Sequence, residues 1–240
     1  CVLDTYDFGR CLILDGAMQT TELDNPMYNE MLVHVPIIAH KDPKNILVVG
    51  AGACGTLNEL TKYKFLKQID VVEIDKMVVD VCVKEMKSVA GNVLEDDRIN
   101  FFFENASKYI KNKKAYYDIV YIDASDPVGP SKVLYEQEFY EDVFDSLKDD
   151  GMVVSQSESP LFYKDILIDL RSIMSSLFSK VKTYKLVVPC FPGGIWSLTI
   201  GSKIYDPENG DTSKLPEGMK YINADLYKTC FMLPNSMNNI

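Results

Sequence analysis

From Cys1 to Gly16 apolar and polar positions alternate, and the run ends in Asp15-Gly16, a dipeptide suited to a tight hairpin turn. Asp7-Phe8-Gly9 supplies a second turn signal, so the stretch predicts a short antiparallel β element. At Asp24-Asn25-Pro26 the period changes. Asp24 is a natural helix N-cap, and proline is favoured in a first helical turn. Met27, Met31, Val35 and Ile38 then recur at helical spacing and predict a helix over 26–39. Lys41-Asp42-Pro43 marks the best boundary. It divides the chain into residues 1–42, a β element with a linking helix, and residues 43–240, one larger domain.

Beyond the boundary the pattern is that of an α/β fold. Asn45 to Val49 is a continuous apolar run, as buried parallel strands show. A glycine turn follows, then a helical stretch to Lys64. Further strands are expected at 69–74, 99–103, 118–122, 152–156, 181–188 and 195–201, and helices at 77–86, 107–110, 138–147 and 164–178. Strands alternating with helices of this length predict a parallel, doubly wound sheet of the Rossmann-like type. Residues 206–218 are loop-like, with two prolines and two glycines.

Composition narrows the function classes. The 240 residues carry 25 Lys+Arg against 35 Asp+Glu, a formal net charge of −10. That balance argues against a nucleic-acid partner, which calls for a basic stripe. No apolar run approaches the roughly 18–20 residues of a membrane span. The six cysteines are dispersed and form no C-x-x-C pair, and there are only two histidines, so no metal site is expected. Dispersed thiols fit a reducing compartment and a cytoplasmic location. The chain opens without Met and in mid-strand at Cys1-Val2-Leu3, which suggests that residues precede it.

Candidate chemistry sits at the carboxyl ends of the strands, where open α/β sheets bind ligands. Gly50-x-Gly52-x-x-Gly55 is a strand-to-helix glycine turn that lets backbone approach a ligand. Alone it is common to dehydrogenases and methyltransferases. Glu73 ends the next strand, 23 residues after Gly50, where an acid hydrogen-bonds a ribose diol. Asn105, after the third strand, either contacts a purine edge or caps the short helix behind it, or does both. Asp123 and Asp126 follow the fourth strand in a loop that continues to Pro130. Carboxylates there are suited to bind an ammonium and accept its proton, which an alkyl amine must lose before it attacks an electrophile. Glu158 adds a carboxylate on the same rim. His34 reads as a residue that packs or hydrogen-bonds, Trp196 as core, and Cys54 as a small filler or a reactive thiol at a helix start.

Several segments together resemble the spermidine synthases, the polyamine aminopropyltransferase family. They are Gly50 to Gly55, Glu73-Ile74-Asp75, Asp123-Ala124-Ser125-Asp126-Pro127-Val128-Gly129-Pro130, Leu14 to Gln19, Tyr28 to Pro36, Gln156 to Pro160, Pro189 to Ser197 and the tail from Lys220 to Asn235. The resemblance implies a small N-terminal β domain, a Rossmann-like methyltransferase-type domain and a homodimer or homotetramer. It implies no prosthetic group, with decarboxylated S-adenosylmethionine as co-substrate and the diamine putrescine as acceptor. In that picture Asp123 accepts the proton, and Tyr28, Asp126, Glu158 and Phe191 hold the amine with it. Gln19, Asn29, Gly50, Gly52, Ala53, Glu73, Asn105, Ala106 and Pro130 hold the nucleoside donor.

The chain departs from the family pattern at functional positions. The glycine turn usually carries an aspartate and a glycine where Ala53 and Cys54 stand, and that carboxylate would pair with the donor's ammonium. Asn105 replaces an aspartate beside the adenine. Asn29 stands where Gln or His is common, and Phe191 where a tyrosine hydroxyl would meet the amine. Three readings follow: an active aminopropyltransferase in which other carboxylates compensate, a weak or inactive paralogue kept as a binding subunit, or an N-methyltransferase of a diamine using S-adenosylmethionine itself.

Overall fold

The structure, a computed structural model, describes residues 1–125, 127 and 129–237. An antiparallel sheet comes first, with strands β1 (Val2–Thr5), β2 (Gly9–Leu14) and β3 (Ala17–Thr21) in that order. The hairpin expected over residues 1–16 is therefore one strand larger, and β3 carries Gln19. Helix α1 (Asn25–Ala39) follows, then β4 (Asn45–Gly50), α2 (Gly55–Leu60), β5 (Gln68–Val72), α3 (Lys76–Glu85), α4 (Lys87–Ala90), β6 (Ile99–Phe102) and α5 (Ala106–Ile110). The chain continues through β7 (Tyr117–Asp123), α6 (Gln137–Ser146), β8 (Leu147–Gln156), α7 (Lys164–Leu177), β9 (Lys180–Val187), β10 (Ile195–Ser202) and α8 (Ala224–Cys230).

The second sheet has seven strands in the order β6-β5-β4-β7-β8-β10-β9. Its strands alternate faces with period 2. Ile46, Val48, Ile119 and Tyr121 pack in one apolar cluster, with α1 among them. Leu47, Val49, Val120 and Ile122 pack in the other, against α6 and α7. Chain order reverses beside β4, between β5 and β7, which opens a crevice at the carboxyl ends of those strands.

Three sequence expectations change. The sheet is parallel only from β6 to β8; β10 runs antiparallel to both β8 and β9. Only residues 188–194 join β9 to β10, too short for a parallel crossover. Helix α2 stops at Leu60 instead of running to Lys64, because the Arg98 guanidinium takes the carbonyls of Thr61 and Tyr63 at 3.0 and 2.6 Å. Asp24 stands at the N-cap position of α1, but its side chain does not cap the helix. Its carboxylate accepts from the Thr21 hydroxyl at 2.6 Å and the Cys190 backbone N–H at 2.7 Å, which ties the start of α1 to the β9–β10 connection.

Candidate active site

The turn after β4 is shaped by how close the end of β7 lies. A Cβ on Gly50, whose φ is +87°, would sit 2.2 Å from the Asp123 carbonyl oxygen. That carbonyl accepts the Ala51 N–H at 3.2 Å. Cys54 holds a left-handed conformation with φ 64° and leads into α2. Burial pushes its thiol up to about 12, so it stays protonated and fills space.

Asp123 closes β7 with each carboxylate oxygen hydrogen-bonded. The Tyr28 hydroxyl donates to Oδ1 at 2.8 Å, and the Thr56 hydroxyl lies 2.6 Å from Oδ2. Burial raises the Asp123 carboxyl above its ordinary range, and these two hydrogen bonds oppose the rise. Burial also raises the Tyr28 hydroxyl well above its usual value, with the Asp123 charge adding to it, so Tyr28 remains a donor.

Two cavities meet at this aspartate. The larger, about 410 Å³, runs along the carboxyl ends of β4, β5, β6 and β7. Its wall includes Gln19, Asn29, Gly50, Gly52, Ala53, Glu73, Asn105, Ala106 and Pro130, so the structure brings together every residue expected to hold the donor. The smaller, about 310 Å³, lies between β3 and the β9–β10 connection. Gln19, Tyr28, Asp123 and Phe191 line both. Phe191 packs edge-on to Tyr28 at 5.8 Å and tilts against Trp196 at 4.6 Å.

Glu73 Oε1 accepts the Asp75 N–H at 2.9 Å. Burial raises its carboxyl, and backbone hydrogen bonds oppose the rise. Of the two readings of Asn105, the structure shows the helix cap. Its Oδ1 accepts from the Ser107 and Lys108 N–H groups and caps α5, while its side chain lines the larger cavity. Glu158, expected on the amine, is 1 % exposed and accepts the Gln156 amide at 2.8 Å. Gln156 itself lines the smaller cavity. Asp126, also expected on the amine, lies outside the described residues.

Sequence reasoning missed several wall residues. Trp196, read as core, is indeed 5 % exposed, yet it also lines the smaller cavity and donates its indole N–H to Gln156 at 3.1 Å. Tyr163 joins them there. Nothing in the period of the chain marks Gln156 or Tyr163, since long-range packing aims them. His34, expected to pack or bond, does both: it is fully buried and bonds Tyr63 and Glu59 at 2.6 and 2.9 Å.

Charge in the larger cavity has one sign. Asp15, Asp24, Glu73, Asp75, Glu104 and Asp123 line it, and no lysine, arginine or histidine stands among the described lining residues. Such a wall attracts a cation and offers a carboxylate no cationic side chain among its described residues.

Residues 25–210 match the family model of the spermine/spermidine synthase domain. The polyamine aminopropyltransferase of Clostridium perfringens (strain 13) is 41% identical over 240 residues, covering 98% of this chain and 84% of that protein. The polyamine aminopropyltransferase of Thermoanaerobacter sp. (strain X514) is 38% identical over 240 residues, covering all of this chain and 86% of that protein. The archaeal enzyme of the same name from Methanocaldococcus jannaschii is 38% identical over 237 residues, covering 96% of this chain and 80% of that protein. A crystal structure of spermidine synthase in complex with the transition-state analogue AdoDATO superposes with TM-score 0.94 at 32% identity, over 98% of this chain and 81% of that one. The spermidine synthase of Thermotoga maritima superposes with TM-score 0.90 at 31% identity, over 98% and 80%. With residues 25–210 matching the family model and relatives 38–41% identical across the chain, this protein belongs to the spermine/spermidine synthase family of polyamine aminopropyltransferases.

Proposed function

We propose that this chain transfers the aminopropyl group of decarboxylated S-adenosylmethionine to putrescine, giving spermidine and methylthioadenosine. The observation that carries the reading is the placement of Asp123 at the junction of two cavities, of about 410 and 310 Å³, with room for two substrates. Two substrates held against one base react as if unimolecular.

In this reading Glu73 accepts from the ribose diol. The Asn105 amide nitrogen donates to the purine edge, because its oxygen is committed to the cap of α5. The amine enters the smaller cavity as an ammonium. Asp123 takes its proton, aided by burial that makes the carboxylate a better base, while the Tyr28 phenol stays protonated. The freed nitrogen lone pair attacks the methylene next to sulfur. A C–N bond forms, the C–S bond breaks, and the bonding pair returns to sulfur as a neutral thioether. The sulfonium supplies its own leaving group.

A wall whose described charged residues are all acidic favours this donor over S-adenosylmethionine. The undecarboxylated donor would bring a carboxylate into a cavity with no described cation to meet it. The same wall answers the loss at Ala53: six other carboxylates remain around the cavity. Titration calorimetry with both donors and with methylthioadenosine, followed by mass spectrometry of the products, tests the reading. Tight binding of the decarboxylated donor and formation of spermidine are expected. Preference for S-adenosylmethionine, or no nucleoside binding, overturns it.

A further inference from the structure

Thr56 is the second residue of α2, fully buried, with no part in any wall described above. Its hydroxyl oxygen lies 2.6 Å from Asp123 Oδ2 and 2.8 Å from Asn29 Oδ1. Asn29 in turn donates its amide to the Asn25 side-chain oxygen at 2.6 Å and to the Asn25 carbonyl at 3.2 Å. Those bonds orient the Asn29 oxygen toward Thr56.

A hydroxyl has one hydrogen and two lone pairs, while an ionised carboxylate and an amide oxygen only accept. Thr56 cannot donate to both neighbours at once. With Asp123 ionised, its hydrogen must point to Oδ2, and the Asn29 oxygen goes without it. With Asp123 protonated on Oδ2, the new hydrogen points at Thr56, and the hydroxyl rotates to give its own hydrogen to Asn29. Every group in the row is then matched. The two arrangements differ by one proton on Asp123 and one rotation of a hydroxyl, with no movement of heavy atoms.

We infer that Thr56 is a positioning residue that keeps Asp123 hydrogen-bonded both before and after it takes the proton from the amine. The inference rests on the reading of Asp123 as proton acceptor. It assigns the hydroxyl a job that a side chain of the same shape without oxygen would fail. Burial leaves the Thr56 hydroxyl without bulk water to replace it, since Thr56 is fully buried and lines neither cavity.

The test compares Thr56→Val, Thr56→Ala and Thr56→Ser by the pH dependence of kcat/KM with decarboxylated S-adenosylmethionine and putrescine. Thr56→Val loses a charge-assisted bond in the ionised form and only neutral bonds in the protonated form, so the acidic limb moves upward, by up to about one pH unit or roughly tenfold in rate below the limb. Thr56→Ala moves it in the same direction, and Thr56→Ser keeps the wild-type limb. A second readout needs no turnover: the Asp123 carboxyl is followed by difference infrared titration, with Asp123→Asn as the blank. Its midpoint rises in Thr56→Val and not in Thr56→Ser. An unmoved midpoint, or a serine variant that shifts as valine does, overturns the role of Thr56 even if the enzyme turns over. A midpoint that rises in a protein that makes no spermidine leaves Thr56 in place and removes the aminopropyl reading.

Discussion

Asp118 and Asp123 stand at opposite ends of one strand, β7, and their surroundings could hardly differ more. Asp118 is 4 % exposed and matched on every side. The Lys148 ammonium lies 2.9 Å from both of its oxygens, and the N–H groups of Lys44 and Asn45 donate at 2.9 and 2.7 Å. Asp123 has two hydroxyls, and no described cation bonds to it. The first aspartate joins the start of β4 to β8; the second faces the meeting point of two cavities. One residue type on one strand thus serves as a clamp where donors converge and as a reactive group where they are withheld.

The clamp end carries a further contrast. His40, Asp118 and Asp150 place candidate ligand atoms within 4.8 Å of one another. The Asp42 N–H donates to His40 Nδ1 at 3.2 Å, so the ring hydrogen of the neutral form sits on Nε2 and faces Asp150 Oδ1, 3.9 Å away. With that hydrogen and the Lys148 ammonium in place, a metal ion would have to displace both.

The sharpest way to break the contrast is to neutralise each aspartate. Asp123→Asn is expected to lower turnover by about a thousandfold, the scale of a general base, with little loss of donor affinity by calorimetry. Retained turnover would remove Asp123 from that role. Asp118→Ala should instead cost about 2–3 kcal/mol in urea unfolding, because it strands an ammonium and two backbone donors, and leave turnover per folded molecule intact. If Asp118→Ala damages catalysis while stability holds, the division of labour along β7 is wrong. Tyr28→Phe removes one donor from Asp123 and is expected to lower kcat about tenfold, the worth of one hydrogen bond to a charged group.

The smallest effect is thermodynamic. Burial raises the Asp123 carboxyl, so the folded chain binds that proton more tightly than the unfolded chain does. Between the ordinary carboxylate range and the raised one the folded state carries more protons, and stability falls as pH rises through that window. Above it the native state bears the full cost of the buried charge. Asp123→Asn should therefore melt higher than wild type at pH 7, with the gap narrowing on acidification. Equal melting at pH 7 would mean that Tyr28 and Thr56 offset the burial completely.

Much of this was written in local pattern. The apolar run 45–49, the glycine turn and Glu73 are signals that neighbours in sequence can carry, and they located the larger cavity. The tail of the sheet was harder. Lys148-Asp149-Asp150-Gly151 reads as a polar loop, yet all four residues belong to β8, and Lys148 is polar because Asp118 awaits it. Asp24 looked like a cap because it stood where caps stand; its partner Cys190 is 166 residues away. Thr56 carried no signal at all, since a threonine early in a helix is ordinary until Asp123 arrives beside it. Net charge, by contrast, said little until the charged residues of the cavity wall were known to be all acidic among those described.

Gly50 has a consequence for how such a protein can drift. Its missing side chain is what lets the turn after β4 lie against the carbonyl of Asp123. Ala53, three residues on, faces the cavity and packs at the edge of a small apolar cluster, with acids elsewhere on the same wall. A lineage can therefore exchange residues at position 53 and test new ligands one change at a time. At position 50 the first step in any direction displaces the backbone of the base, so that route is closed before selection on a substrate begins.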